Sequence, residues 1–318
     1  MIIMDGLEHQ RLAVRARGMR ELGIVLIFAS MVLALFLFLP VSPDQAAPAP
    51  IAIASTTAPD AFADLPIDAK AAIVYDLATG EVLYAKNADA QLPLASLTKL
   101  LTMYAAFSEF SSSTPITIPA DVMGLSAPHA FLPGQMFTLS NLARLTLTGS
   151  LNDGAAAIAE AVAARENTSI HGALAGAAAA LGLSQTYAIN GNGLDVNTAV
   201  SGGYGSAYDL ARLAGALVAL APDVASATTH RTVEASSVGG TSFTIKNTDP
   251  MVANIPGLLL SKTGYTDLAD GNLALVFDVG IQHPVAVVVL GSTVTSRFTD
   301  GLKLVAATFA HFAHVKSL

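Results

Sequence analysis

Ser96 and Lys99 form a Ser-x-x-Lys motif whose two residue types can carry out nucleophilic catalysis. Residues three apart on a helix share a face, so the hydroxyl and the amine can meet. A lysine acts as a base only when its pKa is lowered, which burial and a second nearby cation both achieve. A capping serine followed by a surface lysine is the alternative explanation, so the motif alone does not establish an activated serine.

Two further motifs lie downstream. Ser150-Leu151-Asn152 falls between two helical stretches, where a serine can relay a proton and an asparagine amide can hold a substrate carbonyl. A simple helix N-cap is the alternative. Lys262-Thr263-Gly264 ends an apolar strand, where the lysine charge needs an anion and Gly264 lets another backbone approach closely. A strand that ends in a turn is the alternative explanation of this motif.

The elements that must position these motifs alternate in type along the chain. Strand-like segments lie near both ends and helices lie between them, which predicts an α+β domain whose sheet is assembled from distant parts of the chain. Residues 111–235 are expected to be mainly helical. The predicted strands are 71–76, 81–86, 241–247, 257–264, 271–279 and 284–292, and the predicted helices are 94–107, 139–149, 153–165, 171–182, 206–220 and 297–315.

The composition excludes several classes of protein. Of the 318 residues, 53% are hydrophobic and 13% charged, so a sizeable core can be buried. The net charge of −8 offers no basic surface for nucleic acid. There are no cysteines, which excludes disulfides and thiol catalysis, and the seven histidines form no metal-ligand pattern.

Residues 24–39 form an apolar run that follows four arginines, and no Lys or Arg occurs after it until Lys70. This charge distribution predicts that the N-terminus is cytoplasmic and that the rest of the chain lies outside the cell membrane. A retained single span is favoured. A cleaved signal, with Ala-Ile-Ala at 52–54 as the cleavage site and a secreted product, is the alternative.

A stretch rich in Ala, Pro, Ser and Thr follows the apolar run and predicts an extended linker. The predicted organisation is a cytoplasmic segment (1–22), a transmembrane anchor or signal (23–40), a linker (41–64) and a folded domain (65–318).

The three motifs together, in this order and with gaps of about 50 and about 110 residues, resemble the penicillin-recognising serine hydrolases. The flanking sequences of residues 75–102, 132–160, 182–195 and 257–267 are similar to the D-alanyl-D-alanine carboxypeptidases, the low-molecular-mass penicillin-binding proteins. The resemblance covers about residues 66–315. It implies a β-lactamase/transpeptidase-like fold, with an antiparallel sheet flanked by helices and an inserted all-helical subdomain.

The implied activity is hydrolysis of peptidoglycan stem peptides ending in D-Ala–D-Ala through an acyl-enzyme, without a metal or organic cofactor. β-Lactam antibiotics are the implied inhibitors. The resemblance makes Ser96 the nucleophile, Lys99 its base and Ser150 a proton relay.

The same resemblance implies a set of substrate-binding residues. Asn152 would hold the substrate's peptide, Lys262 would supply positive field, and Thr263 and Arg297 would bind the C-terminal carboxylate. The backbone N–H groups of Ser96 and Tyr265, the residue after Gly264, would form the oxyanion hole.

Some features separate this chain from its relatives. Asp270 stands where the family usually has glycine, which leaves the contacts there open. A class A β-lactamase needs a glutamate after the Ser-x-Asn motif, and residues 167–220 contain none. A peptidoglycan D,D-endopeptidase and a non-turnover penicillin or peptidoglycan sensor remain the alternatives.

Overall fold

A computed structural model of the chain describes Ile27 and residues 60–315. Its helices within residues 60–315 are α1 (Thr98–Glu109), α2 (Leu139–Gly149), α3 (Asn152–Arg165), α4 (Ile170–Ala180), α5 (Ala207–Leu220), α6 (Pro222–Ala227) and α7 (Ser296–Val315). Its strands are β1 (Ala71–Asp76), β2 (Val82–Lys86), β3 (Leu92–Pro93), β4 (Pro115–Thr117), β5 (Met136–Thr138), β6 (Tyr187–Ala188), β7 (Gly203–Gly205), β8 (Thr232–Ser236), β9 (Ser242–Lys246), β10 (Leu258–Thr266), β11 (Asp270–Asp278) and β12 (Pro284–Ser292).

The central sheet joins the two ends of the domain. Its five strands lie in the order β10-β11-β12-β1-β2, and every neighbouring pair is antiparallel. β1 pairs with β12, with Ala71 opposite Leu290 and Asp76 opposite Val285. The predicted sheet built from distant parts of the chain is therefore confirmed.

The sheet separates two hydrophobic cores because successive side chains of a strand point to opposite faces. Ile73 and Val288 pack into the core shared with the helices α1–α6. Their neighbours Val74 and Val287 pack into the second core, which α7 covers.

Short polar side chains set the starts of several helices. Thr138, Ser169 and Ser206 precede α2, α4 and α5, and each side chain accepts a hydrogen bond from a backbone N–H of the first turn. α1 lies at the centre of this helical block and packs against α3, α4 and α5. Because α1 is buried on most sides, the residues at its N-terminus are held in a fixed position.

The prediction that residues 111–235 are mainly helical is wrong for 111–138. This segment holds the β4–β5 hairpin and a single 3₁₀ turn, Asp121–Gly124. Four prolines lie within it, and each removes a backbone donor and opposes a helix interior. At the other end of the region, β8 pairs with β9 to form a second hairpin.

The predicted cytoplasmic segment (1–22), the predicted anchor or signal (23–40) except Ile27, and residues 41–59 of the predicted linker lie outside the described residues. In the part that the structure does describe, no helix has the length and apolar character needed to cross a membrane. The predicted span and domain boundaries stay predictions. Phe62 is already buried against the domain, with its ring 5.9 Å from that of Tyr84.

Candidate active site

Ser96 lies in the 3₁₀ turn Ala95–Leu97 that leads from β3 into α1. Leu94 and Leu97 anchor this turn in the core, and the Leu94 N–H donates to Gly203 O. Ala95 has a φ of 47°, a left-handed conformation that is uncommon for a residue other than glycine. The strained turn leaves Ser96 half-buried while its neighbours on both sides are buried.

Lys99 brings its amine to the Ser96 hydroxyl, as the Ser-x-x-Lys spacing predicts. Its Nζ lies 2.7 Å from Ser96 Oγ, 2.8 Å from Asn152 Oδ1 and 2.7 Å from the backbone oxygen of Asn192. The side chain is fully buried. The motif is therefore not a helix cap with a surface lysine.

The partners of Lys99 suit an uncharged amine. A neutral amine has two N–H groups and one lone pair, and the oxygens of Asn152 and Asn192 can only accept. The lone pair is then left for the Ser96 proton. Burial, followed by the nearby Lys262 cation, holds the pKa of Lys99 well below its ordinary value, while Asp153 opposes this shift.

Lys262 and Ser150 form a second lysine–serine pair. Ser150 ends α2 in a left-handed conformation with φ of 56°, and its Oγ accepts from Lys262 Nζ at 2.9 Å. Lys262 Nζ also donates to Thr263 O at 2.7 Å. Burial and then the charge of Arg297 lower the pKa of Lys262 to about 7, and Asp249 opposes this shift.

Gly264 allows β10 to pass directly beside the Ser96 turn. A Cβ atom at Gly264 would lie 2.9 Å from Leu94 O and 3.3 Å from Leu97 N. The sequence predicted that Gly264 lets another backbone approach closely, and the structure shows this contact. Tyr265, the next residue, is half-exposed at the same edge of the sheet.

Arg297 lies near the start of α7, and its side chain contacts β10. Its Nη1 donates to Gly264 O at 2.6 Å, and its guanidinium lies over the Phe298 ring. Burial lowers the pKa of Arg297, although Asp249 and Tyr265 favour its charged form. The structure thus brings Arg297 next to the Lys262-Thr263-Gly264 segment.

Asp270 lies at the start of β11, with φ of 55°. Its carboxylate forms an exposed ion pair with Lys70 Nζ at 2.8 Å. The residue that departs from the family pattern therefore has a partner on the surface.

Sequence reasoning missed other parts of the site. Asn192 contributes a backbone oxygen, which leaves no signature in a side chain. Asp153 accepts from the backbone N–H groups of Ala130 and Phe131, each at 2.7 Å, and so ties the preceding loop to α3. Its position directly after Asn152, in the first turn of a helix, is the signal that could have identified it.

The chain is similar to known proteins over most of this domain. A family model described as D-alanyl-D-alanine carboxypeptidase matches residues 54–294. The D-alanyl-D-alanine carboxypeptidase DacF of Bacillus subtilis is 28% identical over 271 residues, 81% of this chain and 68% of the relative. The D-alanyl-D-alanine carboxypeptidase DacA of Escherichia coli K12 is 30% identical over 272 residues, 79% of this chain and 63% of the relative.

The fold matches as well. A crystal structure of Penicillin-Binding Protein D2 from Listeria monocytogenes, with ampicillin bound, has a TM-score of 0.66 and 27% identity, and the match covers 77% of this chain and 99% of that one. The predicted fold class is confirmed. Since the matching family model spans well over half of the sequence and includes all three motifs, this chain belongs to the D-alanyl-D-alanine carboxypeptidase family of serine hydrolases.

Proposed function

We propose that the protein is a serine-type D-alanyl-D-alanine carboxypeptidase that acts on peptidoglycan stem peptides. One observation carries the proposal: the Ser96 hydroxyl lies 2.7 Å from a fully buried lysine amine whose pKa is strongly lowered. An uncharged lysine at this distance can take the serine proton and so activate the nucleophile.

Acylation joins the penultimate D-Ala to the enzyme. Ser96 Oγ attacks its carbonyl carbon while the hydroxyl proton moves to Lys99 Nζ. The backbone N–H groups of Ser96 and Tyr265 hold the oxyanion. The C–N bond then breaks, and the proton held by Lys99 passes through Ser150, whose hydroxyl bonds to Lys262, to the leaving D-Ala amine, so that Lys99 is uncharged again.

Deacylation uses the same groups in reverse. A water molecule gives a proton to Lys99 and attacks the ester carbon, the bond from that carbon to Ser96 Oγ breaks to release the shortened peptide, and Lys99 returns the proton to Ser96 Oγ. The asparagine beside Lys99, Asn152, holds the substrate's peptide group in both steps.

Positive charge next to the nucleophile suits a substrate with a free C-terminal carboxylate. Lys262 of β10 and Arg297 beside that strand are both buried, and Thr263 lies between Lys262 and the closely packed Gly264. In the proposal, the positive charge of Lys262 attracts the substrate carboxylate, and Thr263 and Arg297 bind it. A β-lactam presents an amide next to a carboxylate in the same way and would acylate Ser96.

The proposed location follows from the sequence. The arginines before residues 24–39 and the linker after them support a membrane tether with the catalytic domain outside the cytoplasm. Peptidoglycan is found on that side of the membrane.

An assay of D-Ala release tests the proposal. The full-length protein is given a pentapeptide ending in D-Ala–D-Ala and, separately, a crosslinked peptide dimer. We expect the pentapeptide to be hydrolysed with the higher kcat/KM. Preferential cleavage of the dimer would show an endopeptidase, and acylation without any product release would show a sensor.

A further inference from the structure

Thr248 places a second hydroxyl beside the Lys262-Thr263-Gly264 motif. Its Oγ1 lies 2.6 Å from Thr263 Oγ1. Thr263 is buried on β10, whereas Thr248 follows β9 and is exposed. The pair is therefore open to solvent on the Thr248 side.

The residue before Thr248 is fixed by its own side chain. Asn247 Nδ2 donates to Thr228 O at 2.6 Å and to His230 O at 2.9 Å. Both oxygens belong to the chain between α6 and β8. The Asn247 amide therefore holds the end of β9 against the segment that connects α6 to β8.

The residue after Thr248 is fixed from another direction. Asp249 is buried, and its Oδ2 accepts from Ser261 Oγ of β10 at 2.7 Å. The Thr248 N–H itself donates to Thr148 O of α2 at 3.2 Å. Hydrogen bonds from residues 247–249 to α2, to β10 and to the chain between α6 and β8 thus fix the position of Thr248, an exposed residue of a loop.

Two adjacent hydroxyls match the two oxygens of a carboxylate. In the free protein one hydroxyl donates to the other, which leaves a single proton to point outward. A carboxylate, which only accepts, can take one hydrogen bond from each hydroxyl in place of the bond between them. Lys262 Nζ donates to Thr263 O and Arg297 Nη1 donates to Gly264 O, so both positive charges belong to the same stretch of β10 as Thr263 and favour an anion there.

We propose that Thr248 is a further substrate-binding residue, which together with Thr263 holds the C-terminal carboxylate of the substrate. This inference rests on the proposed function. It assigns half of the carboxylate contact to a residue outside the three motifs. Thr248 then contributes to binding and to selection of substrates with a free carboxylate, and not to the chemical step.

The test compares Thr248→Val, which removes the hydroxyl, with Thr248→Ser, which keeps it. Thr244→Val is the matched control, because Thr244 is an exposed threonine of β9 whose hydroxyl meets only Glu234 among the described residues. For pentapeptide hydrolysis we expect Thr248→Val to raise KM about tenfold or more with little change in kcat, as for a lost hydrogen bond to a charged group. Thr248→Ser and Thr244→Val should stay near the unaltered protein.

A second readout is independent of peptide hydrolysis. Acylation by benzylpenicillin should slow about tenfold in Thr248→Val, while acylation by its methyl ester, which lacks the charge, should change much less. An unchanged KM, or equal slowing for acid and ester, would overturn the inference. If the unaltered protein releases no D-Ala, the proposed function fails, but the comparison of benzylpenicillin with its methyl ester still decides the role of Thr248. A protein that reacts neither with the pentapeptide nor with penicillin overturns both the proposed function and this inference.

Discussion

Gly193 packs directly against the backbone oxygen of Ala95, the residue before Ser96. Gly193 has a φ of +79°, and a Cβ atom there would overlap that oxygen and lie 2.9 Å from Thr98 Oγ1. The preceding residue, Asn192, accepts a hydrogen bond from Lys99. One short loop therefore packs against the turn that carries Ser96 and also contacts Lys99.

Gly193→Ala should remove most D-Ala release and slow acylation by penicillin, because the new methyl group must displace the Ser96 turn. Gly182→Ala is the matched control. Gly182 also has a positive φ, +63°, but a Cβ atom there would meet only Arg212 Nη2, at 3.9 Å. Both variants should lose about 1–2 kcal/mol of stability because alanine is disfavoured in a left-handed conformation. A thermal melt measures this loss in each variant, and the activity assay then shows the additional effect of displacing the Ser96 turn. Equal activity in the two variants would contradict this account of the loop.

Lys99→Met should lower the rate of Ser96 acylation by about 10²- to 10⁴-fold, the usual contribution of a general base. Methionine fills similar space without an ionisable group, so the buried site should keep its fold. Lys246→Met, at an exposed lysine of β9, is the control for the same exchange. Stopped-flow measurement with a chromogenic β-lactam gives the rate. A methionine variant that retains a tenth of the rate would show that Lys99 is not the base.

The sequence was sufficient to predict the elements with strong periodicity. The apolar runs of β1 and β12 and the helical stretch that follows Pro93 identified these elements, and the three motifs identified Ser96 and Lys262. Thr248 was not predicted because its closeness to Thr263 arises where the segment after β9 meets β10, and neither residue type is distinctive. The same limit applies to the Asn192 oxygen.

Arg297→Gln should move the alkaline limb of the kcat/KM profile to higher pH. In the proposed function Lys262 attracts the carboxylate only as a cation, and this charge is lost as the pH rises through its pKa of about 7. After burial, Arg297 is the main cause of that low value, so removing its charge raises the pKa. Asp249→Asn should shift the limb the opposite way, because Asp249 favours the charged lysine. Profiles that coincide in all three proteins would exclude Lys262 as the titrating group.

Benzylpenicillin should leave an acyl-enzyme that lasts for minutes or longer. The opened ring stays attached and blocks the path of water, and residues 167–220 contain no glutamate to activate it. Intact-mass spectra taken over time after addition of one equivalent measure the lifetime. Loss of the adduct within seconds, with hydrolysed penicillin accumulating, would identify a β-lactamase instead.

The most direct test of the central claim is to locate the acylated residue in the full-length protein and in its Ser96→Ala variant. Ser96 is the serine that lies 2.7 Å from the buried amine of Lys99. After reaction with benzylpenicillin, peptide mapping by mass spectrometry should find a single adduct on Ser96, and the alanine variant should carry none and release no D-Ala. An adduct on another residue, or a labelled alanine variant, would contradict the account.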